Sequence, residues 1–206
     1  MPATAIRPRL SGPQRRAAIL EVAIEVFSQK GFRGTTTREL AAAVGVSEPV
    51  LYQHFATKRA LYEAILDIRD QVTTGEVASE LEKHIDSGDS RAFFTLLARI
   101  GLAWYCNDPR YARLLVFSAL EKHELSDLFY ERQVTVFYDW VTRHINKQVR
   151  RRKMRRVNAL LAARIFAGMV SHQGMIFAIY HPGDLADSEE HIVKSIVDIF
   201  LQGISL

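Results

Sequence analysis

Apolar residues recur every three or four positions along most of the chain, which is the spacing of one face of an α-helix. In the first such segment, residues 14–30, the apolar positions are Leu20, Ala23, Ile24 and Phe27. Gly31 follows directly, where a left-handed cap would end the helix. Few segments alternate between apolar and polar residues as a β-strand does. The pattern therefore predicts an all-α protein.

Two short helices are predicted next. Thr36 precedes Glu39 by three residues, which is the spacing of a capping box, so a second helix begins there and ends at Gly45. Ser47 can cap a third helix, and Pro49 fits its first turn, where a backbone N–H has no intrahelical partner to lose. Two short helices joined by a tight turn predict a helix-turn-helix unit.

The third helix has one apolar side. Leu51 and Phe55 are four residues apart and therefore point together into a small core. The other faces carry Glu48, Val50, Tyr52, Gln53 and His54. A short helix that is held from one side and polar on the other is typical of the helix that enters the major groove of DNA.

Beyond this unit, longer helical segments predict a second, larger domain. The proposed division is 1–57, with 1–13 as a flexible basic arm, and 58–206. The predicted segments of the second part are a linker helix from Lys58 to about Gln71, a loop at 84–90, and helices at 109–120, after 126, from Asn158 to about Tyr180, and from Asp187, which has capping-box spacing to Glu190.

Positive charge is unevenly distributed along the chain. The net charge is +4, and residues 1–59 hold nine Lys and Arg against four Glu, so the basic excess belongs to the first quarter of the chain. Such asymmetry favours a polyanionic partner. The arm at 7–16 is either a mobile tail or a minor-groove contact. The run at 147–156, with seven cations, is predicted as a solvated connection, and contact with DNA or an anionic ligand is left open.

The helix-turn-helix residues match a known pattern. It consists of Gly-Phe after the first helix, Thr-Thr at the second, Leu-Ala within it, Gly-Val-Ser in the turn, Leu-Tyr-x-His-Phe in the third, and Lys58 followed by Leu61. Over residues 18–66 the chain resembles the DNA-binding domain of the TetR family of one-component transcriptional regulators. The remainder is similar in its length and helical character.

The resemblance implies a set of DNA contacts. In this family, the positions of Tyr52, His54 and Lys58 contact backbone phosphates. Thr36 and Thr37 begin a helix whose free N–H groups favour phosphate. Arg38 can reach a guanine edge, and base contacts otherwise fall to Glu48, Pro49, Val50 and Gln53. With the turn residue Ser47, the predicted set is Thr36, Thr37, Arg38, Ser47, Glu48, Pro49, Val50, Tyr52, Gln53, His54 and Lys58. Relatives often carry Lys and Thr at positions 48 and 50, which leaves the operator sequence open.

The resemblance also implies a homodimer that reads a palindromic operator in double-stranded DNA, with the last two long helices at the interface. The predicted interface is Leu161, Ile165, Gly168, Met169, Val193, Ile196, Val197, Phe200, Leu201 and Ile204. The alternative is that these apolar stripes belong to the internal core.

A ligand cavity in the second domain is the remaining implied feature. The predicted lining is Trp104, Phe117, Tyr138 and His172, for a small apolar or aromatic effector. Binding would bias the linker helix and weaken DNA affinity, as in a repressor. A ligand-independent architectural DNA-binding protein is the alternative.

Other classes of function are disfavoured. The seven histidines do not form a metal-ligand spacing, and nucleophile-elbow and phosphate-loop motifs are missing, so neither an enzyme, a metal site nor a cofactor is expected. The single cysteine, Cys106, cannot form an internal disulfide. The start of the chain has no apolar run of signal-peptide length, and Arg164 interrupts the longest apolar stretch, so a cytoplasmic protein without a membrane segment is expected.

Overall fold

The structure is a computed structural model that describes residues 11–69, 75–122, 124–181 and 187–206. All the regular elements among these residues are helices. They are α1 (Gly12–Lys30), α2 (Thr37–Val44), α3 (Glu48–His54), α4 (Lys58–Arg69), α5 (Glu76–Ser87), α6 (Ser90–Cys106), α7 (Pro109–Leu120), α8 (Glu124–Phe129), α9 (Thr135–Arg150), α10 (Ala159–Met175) and α11 (Glu189–Ile204). π-Helical turns at Tyr130–Val134 and Ile176–Tyr180 follow α8 and α10. The all-α prediction is therefore confirmed.

The first hydrophobic core lies where α1, α2, α3 and α4 meet. Its buried residues include Ile19, Phe27, Leu40, Leu51, Phe55, Leu61, Tyr62 and Ile65. Because α4 contributes four buried residues, this core extends beyond the predicted boundary at residue 57. The predicted basic arm, 1–13, lies mostly outside the described residues, and its described end already forms the start of α1. There Ser11 and Gln14 make a capping box.

The local signals at the first helices are mostly confirmed. Thr36 and Glu39 form the expected capping box, and Gly45 ends α2 in the left-handed conformation. Two details differ. Gly31 has a positive φ of 71° but an extended ψ of 178°, so it ends α1 without a left-handed cap. Ser47 occupies the cap position of α3 but makes no capping hydrogen bond with its side chain.

The second core is built by α5, α6, α9, α10 and α11. The predicted loop at 84–90 is wrong, because α5 continues through Ser87 and only Gly88 and Asp89 separate it from α6. Gly88 is left-handed and Asp89 caps α6, so two residues are enough to reverse the chain. The last helix is capped by Ser188 and not by Asp187.

The apolar face of α11 packs inside the chain. Six residues predicted at the dimer interface are buried in the second core at 8% exposure or less: Val193, Ile196, Val197, Phe200, Leu201 and Ile204. Phe200 packs on Phe94 and Phe166, each with a ring-centroid distance of 4.9 Å. The prediction that these six residues lie at the dimer interface is therefore corrected. They belong to the internal core, because α11 covers α6 and α10 of its own protomer.

The helical segment Ala159–Tyr180 is the only one among the described residues with the length and apolar composition of a membrane span. It packs against α6, α9 and α11, as a core helix also does, so this finding is weak evidence for a membrane.

The basic run at 147–156 lies before the start of the helical segment Ala159–Tyr180. The other end of this segment packs against α7, which itself packs against α1. A helix of this length spans roughly 33 Å. The run is therefore remote from the first core, as suits a solvated connection.

A histidine is buried completely where α9 meets the α5–α6 turn. His144 stacks on the Phe93 ring at 4.1 Å, and its Nε2 atom is 2.9 Å from the Ser90 hydroxyl oxygen. Burial, together with the nearby cations Arg151 and Lys147 and against an opposing effect of Asp89, lowers the pKa of His144 to about 4. The imidazole is therefore neutral at physiological pH.

This histidine predicts how acid destabilises the fold. Because its pKa is lower when folded than when unfolded, its contribution to stability is complete above pH 6.5 and is lost as the pH falls towards 4. The loss amounts to at most about 3 kcal/mol. We expect His144→Gln, which keeps a partner for Ser90 without titrating, to flatten this dependence in urea unfolding. His191→Gln, at an exposed histidine, is the control. The same pH dependence of the free energy of unfolding in the parent protein and both variants would contradict the prediction.

Candidate nucleic-acid interface and ligand pocket

The outer face of α3 is open to solvent. Pro49, Tyr52 and Gln53 are exposed, while Val50 and His54 are half-buried. Leu51 and Phe55 hold the helix from below, as predicted. Arg16 of α1 also fixes its end, because its guanidinium donates to the His54 carbonyl at 2.8 Å and lies 4.1 Å from the Phe55 ring centroid. The predicted base-reading residues therefore lie on a rigid, accessible helix.

Glu48 links α3 to the start of α2. Its carboxylate accepts a hydrogen bond from the Thr37 hydroxyl at 3.1 Å and pairs with the Arg38 guanidinium at 3.5 Å. The Tyr52 hydroxyl donates to the Thr37 oxygen at 3.4 Å. Four of the predicted DNA-contacting residues are thus connected, and a negative charge lies at the centre of the surface they form.

The start of α2 already holds a carboxylate. Glu39 accepts from the Thr36 N–H at 2.9 Å and from its hydroxyl at 3.1 Å. These hydrogen bonds, together with that from Lys30, lower the pKa of Glu39 to about 2. A phosphate that approached Thr36 would meet this charge, and one that approached the Thr37 hydroxyl would meet the Glu48 carboxylate. Phosphate contact by either threonine stays a prediction.

Lys58 has partners inside the protein. Its ammonium donates to the carbonyl oxygens of Phe32 and Thr35, at 2.7 and 2.8 Å, and lies 4.0 Å from the Phe32 ring centroid. Burial lowers the pKa of Lys58. In this structure Lys58 fixes the turn that leads into α2, and its phosphate contact stays a prediction.

Removal of the central negative charge should strengthen DNA binding. We expect Glu48→Gln to raise affinity for unrelated DNA sequences by about five-fold at low salt, since it frees Arg38 and removes a repulsion. Fluorescence anisotropy with several duplexes measures the change. Glu82→Gln removes a carboxylate from the second domain, where Glu82 pairs with Arg143, and serves as the control. An affinity gain confined to one sequence would instead indicate that Glu48 reads a base.

A cavity of about 340 Å³ lies between α6, α9 and α10. It is lined by Ile100, Gly101, Trp104, Tyr105, Phe129, Gln133, Val134, Phe137, Tyr138, Arg164, Ala167, Gly168, Val170 and Ser171. Its volume is within the range of small-molecule sites, and its lining is mostly apolar with few polar groups. The arrangement suits a small molecule with an apolar body.

Two of the four predicted lining residues lie at this cavity, and their contact with a ligand stays a prediction. Trp104 and Tyr138 line the cavity, but Phe117 packs near Gly31 at the junction with α1, and His172 is exposed on α10. Arg164 is absent from the predicted lining, because a lone cation in an apolar helix indicates only an interruption of that helix. Its spacing of four residues to Gly168 and seven to Ser171, which places the three residues on one helix face, was the available signal.

The pocket continues towards the first domain. A second cavity of about 360 Å³ shares Trp104, Tyr105, Phe129 and Val134 with the first and is bounded by α7 residues Ala112, Leu115, Val116 and Ala119. α7 itself packs along α1. A molecule that displaced α7 would therefore act directly on the element next to the DNA-facing helices.

Polar contacts join the start, middle and end of α7 to α1, to α4 and to the turn before α2. At its start, the Arg110 guanidinium pairs with Glu21 at 2.7 Å and Glu25 at 3.4 Å. Near its middle, the Tyr62 hydroxyl donates to the Leu114 carbonyl at 3.5 Å. At its end, the Glu121 carboxylate accepts from the Arg33 N–H at 3.1 and 3.2 Å. The predicted route through α4 is thus joined by a second one through α7.

A groove with exposed apolar side chains lies between α10 and α11. Leu161, Ile165 and Ile199 are 54, 53 and 62% exposed, and Gly203 lies beside them. Leu161 and Ile165 belong to the predicted dimer interface, and Ile199 was missed. Gly168 lies at the mouth of the ligand pocket, and Met169 is partly buried against the second core.

Comparisons with known proteins agree with this geometry. The domain described as bacterial regulatory proteins, tetR family, matches residues 19–65. The domain described as AefR-like transcriptional repressor, C-terminal domain, matches residues 107–203. The first match contains the helix-turn-helix, and the second contains most of the pocket.

Individual relatives and structures extend the comparison. The nucleoid occlusion factor SlmA of Haemophilus ducreyi is 30% identical over 78% of this chain and 77% of its own length. The transcriptional activator FasR of Mycolicibacterium smegmatis is 47% identical over 28% of this chain and 26% of its own. The structure of AibR with isovaleryl coenzyme A and operator DNA has a TM-score of 0.67 at 21% identity and covers 90% of this chain and 97% of AibR. The ketosteroid regulator KstR2 of Mycobacterium tuberculosis has a TM-score of 0.65 at 18% identity and covers 97% and 100%.

Proposed function

Because this chain belongs to the TetR family of DNA-binding transcriptional regulators, we propose that it is a repressor that a small molecule releases from a palindromic operator. The observation that carries this proposal is the mostly apolar cavity of about 340 Å³ in the second domain, which continues to α7. A regulator without an effector has no need of such a cavity. Neither proposed role, DNA binding or effector binding, requires catalysis.

In the proposed complex, α3 enters the major groove. Tyr52 and His54 contact phosphates, while Pro49, Val50 and Gln53 face base edges. Thr37 contributes its hydroxyl and the start of α2. Arg38 leaves Glu48 to reach a base or phosphate, which requires their exposed ion pair to open. Since exposed ion pairs contribute little to stability, the opening of this pair costs little free energy.

A homodimer completes the proposed operator complex. One α3 helix contacts only a few phosphates and bases, whereas a two-fold dimer reads both halves of a palindrome. The groove of Leu161, Ile165 and Ile199 is the proposed interface, because its side chains are apolar and exposed and its floor is packed in the second core.

Effector binding would act through α7. Filling the pocket and its extension separates α7 from α6 and α8, and the contacts of Arg110 and Glu121 carry this shift to α1 and to the turn before α2. The two α3 helices of the dimer then no longer match the half-site spacing. Couplings of this kind typically amount to about 1–3 kcal/mol.

A second candidate is a DNA-binding protein that acts without an effector. The similarity to proteins described as nucleoid occlusion factors favours it, since it extends over most of the chain. The two candidates differ in whether molecules that enter the pocket change DNA affinity.

Binding to the DNA that flanks the gene tests the proposal. We expect fluorescence anisotropy at two salt concentrations to give tight, salt-dependent binding that exceeds that of random DNA. Equal, weak binding to both DNAs would contradict an operator at that position. Addition of small amphiphiles then separates the regulator with an effector from the one without.

A further inference from the structure

We propose that the effector is an amphipathic carboxylate whose acid group pairs with Arg164 and whose apolar body fills the cavity. This inference rests on the proposed effector site and specifies its ligand class. A purely apolar or aromatic ligand, as the sequence predicts, would leave Arg164, the one charged residue among the described residues of the lining, without a partner in the ligand.

The charge of the lining selects the sign of the ligand. Arg164 is the only charged side chain among the described residues that line the cavity, and no Asp or Glu lines it. None of the described carboxylates forms an ion pair with Arg164, and its guanidinium lies 6.0 Å from the Tyr138 ring centroid. A cationic ligand would therefore be repelled, and a carboxylate would find an available guanidinium.

The shape of the cavity places the acid at its mouth. Arg164 and Gly168 are four residues apart on α10 and both exposed, whereas Phe137, Val170 and Trp104 are farther inside. Gly168 leaves the mouth open, because a Cβ atom added there would meet nothing within 4 Å. The carboxylate therefore stays partly hydrated beside Arg164 while the apolar body leaves water.

The inner polar groups leave little room for a second charge. The Ser171 hydroxyl donates to the Gly168 carbonyl at 3.3 Å, and burial raises the pKa of Tyr105, so that its hydroxyl stays neutral. They offer dipoles and no formal charge. The inner end of the cavity therefore suits an alkyl chain or an aromatic ring.

The test compares two matched sets of probes. One is decanoate, decanol and decylammonium, and the other is phenylbutyrate, phenylbutanol and phenylbutylammonium. Binding is followed by fluorescence in Trp140→Phe, which leaves Trp104 in the pocket as the only tryptophan. We expect the carboxylate of each set to bind about ten-fold more tightly than the alcohol, and the ammonium to bind most weakly.

Four variants, two at Arg164 and two at Gly168, identify the residues responsible for binding. Arg164→Gln should lower carboxylate affinity about ten-fold and leave the alcohols unchanged, and Arg164→Lys should restore part of the preference. Gly168→Leu should weaken all the probes, since its side chain occupies the mouth without a clash, and Gly168→Ala should resemble the parent. Equal binding of alcohol and carboxylate, preference for ammonium, or a failure of every probe to bind would overturn the ligand class.

DNA binding measured in the same samples separates this inference from the proposed function. Alcohols that bind as tightly as carboxylates and also release DNA would overturn the ligand class and leave effector control standing. Carboxylates that bind through Arg164 and leave DNA affinity unchanged would confirm the class and contradict effector control.

Discussion

Ile165→Glu is expected to separate the protomers and to lower operator affinity at least a hundred-fold. Ile165 is 53% exposed in a groove whose walls are apolar, so a two-fold interface there would bury two carboxylates without partners. Loss of the dimer removes one of two α3 helices from the operator and roughly halves the number of phosphate contacts. Analytical ultracentrifugation and DNA anisotropy measure the two effects.

A control variant separates assembly from folding. Leu120→Glu introduces the same charge at a leucine that is 76% exposed outside the groove, and we expect it to remain dimeric. Circular dichroism should show unchanged helicity in both variants. By contrast, Phe200→Glu is expected to unfold the second domain, since Phe200 packs on Phe94 and Phe166. A dimer that persists in Ile165→Glu would place the interface on another surface.

Glu121→Ala is expected to uncouple effector binding from DNA release. It removes the acceptor of the Arg33 N–H, which is the contact of α7 nearest to α2 and the turn before it. If decanoate weakens DNA binding about thirty-fold in the parent, we expect about three-fold in the variant. Affinity for decanoate itself should change little, because Glu121 does not line the cavity.

The control for Glu121→Ala is a carboxylate that lies in neither the cavity lining nor the contacts of α7 with the turn before α2. Glu131→Ala removes an exposed carboxylate of the second domain that does not line the cavity, so it should keep the full effect of decanoate on DNA affinity. An undiminished effect in Glu121→Ala would show that Arg110 or α4 carries the coupling. Titrations of DNA with and without saturating decanoate measure both variants.

The sequence predicted the helix-turn-helix closely because its signals are local. The box of Thr36 and Glu39, the left-handed Gly45 and the inward pair Leu51 and Phe55 each depend on residues within a few positions. The partners of Lys58 were not predictable in this way. Phe32 and Thr35 are more than twenty positions away and become neighbours only when α4 packs on the turn before α2.

The second domain was harder to predict for the same reason. Periodicity showed that α11 has an apolar face but could not tell whether that face covers its own protomer or another. It also missed both π-helical turns, where one extra residue shifts the helical register. The turn at Tyr130–Val134 rotates the following helix and contributes to the cavity wall, so the pocket residues could not be read from spacing alone.

The helix α10 carries both the proposed acid-binding residue and the proposed dimer surface. Arg164 and Ile165 are adjacent in sequence, and the pocket and the groove lie on neighbouring sides of this one helix. If α10 rotates when the ligand binds, the fit between the protomers changes. The factor by which the ligand changes the dimerisation constant must then equal the factor by which dimerisation changes the affinity for the ligand. The amount of effector needed for release would then depend on the cellular abundance of the protein. Two strains that differ only in expression level would respond at different doses of the same compound.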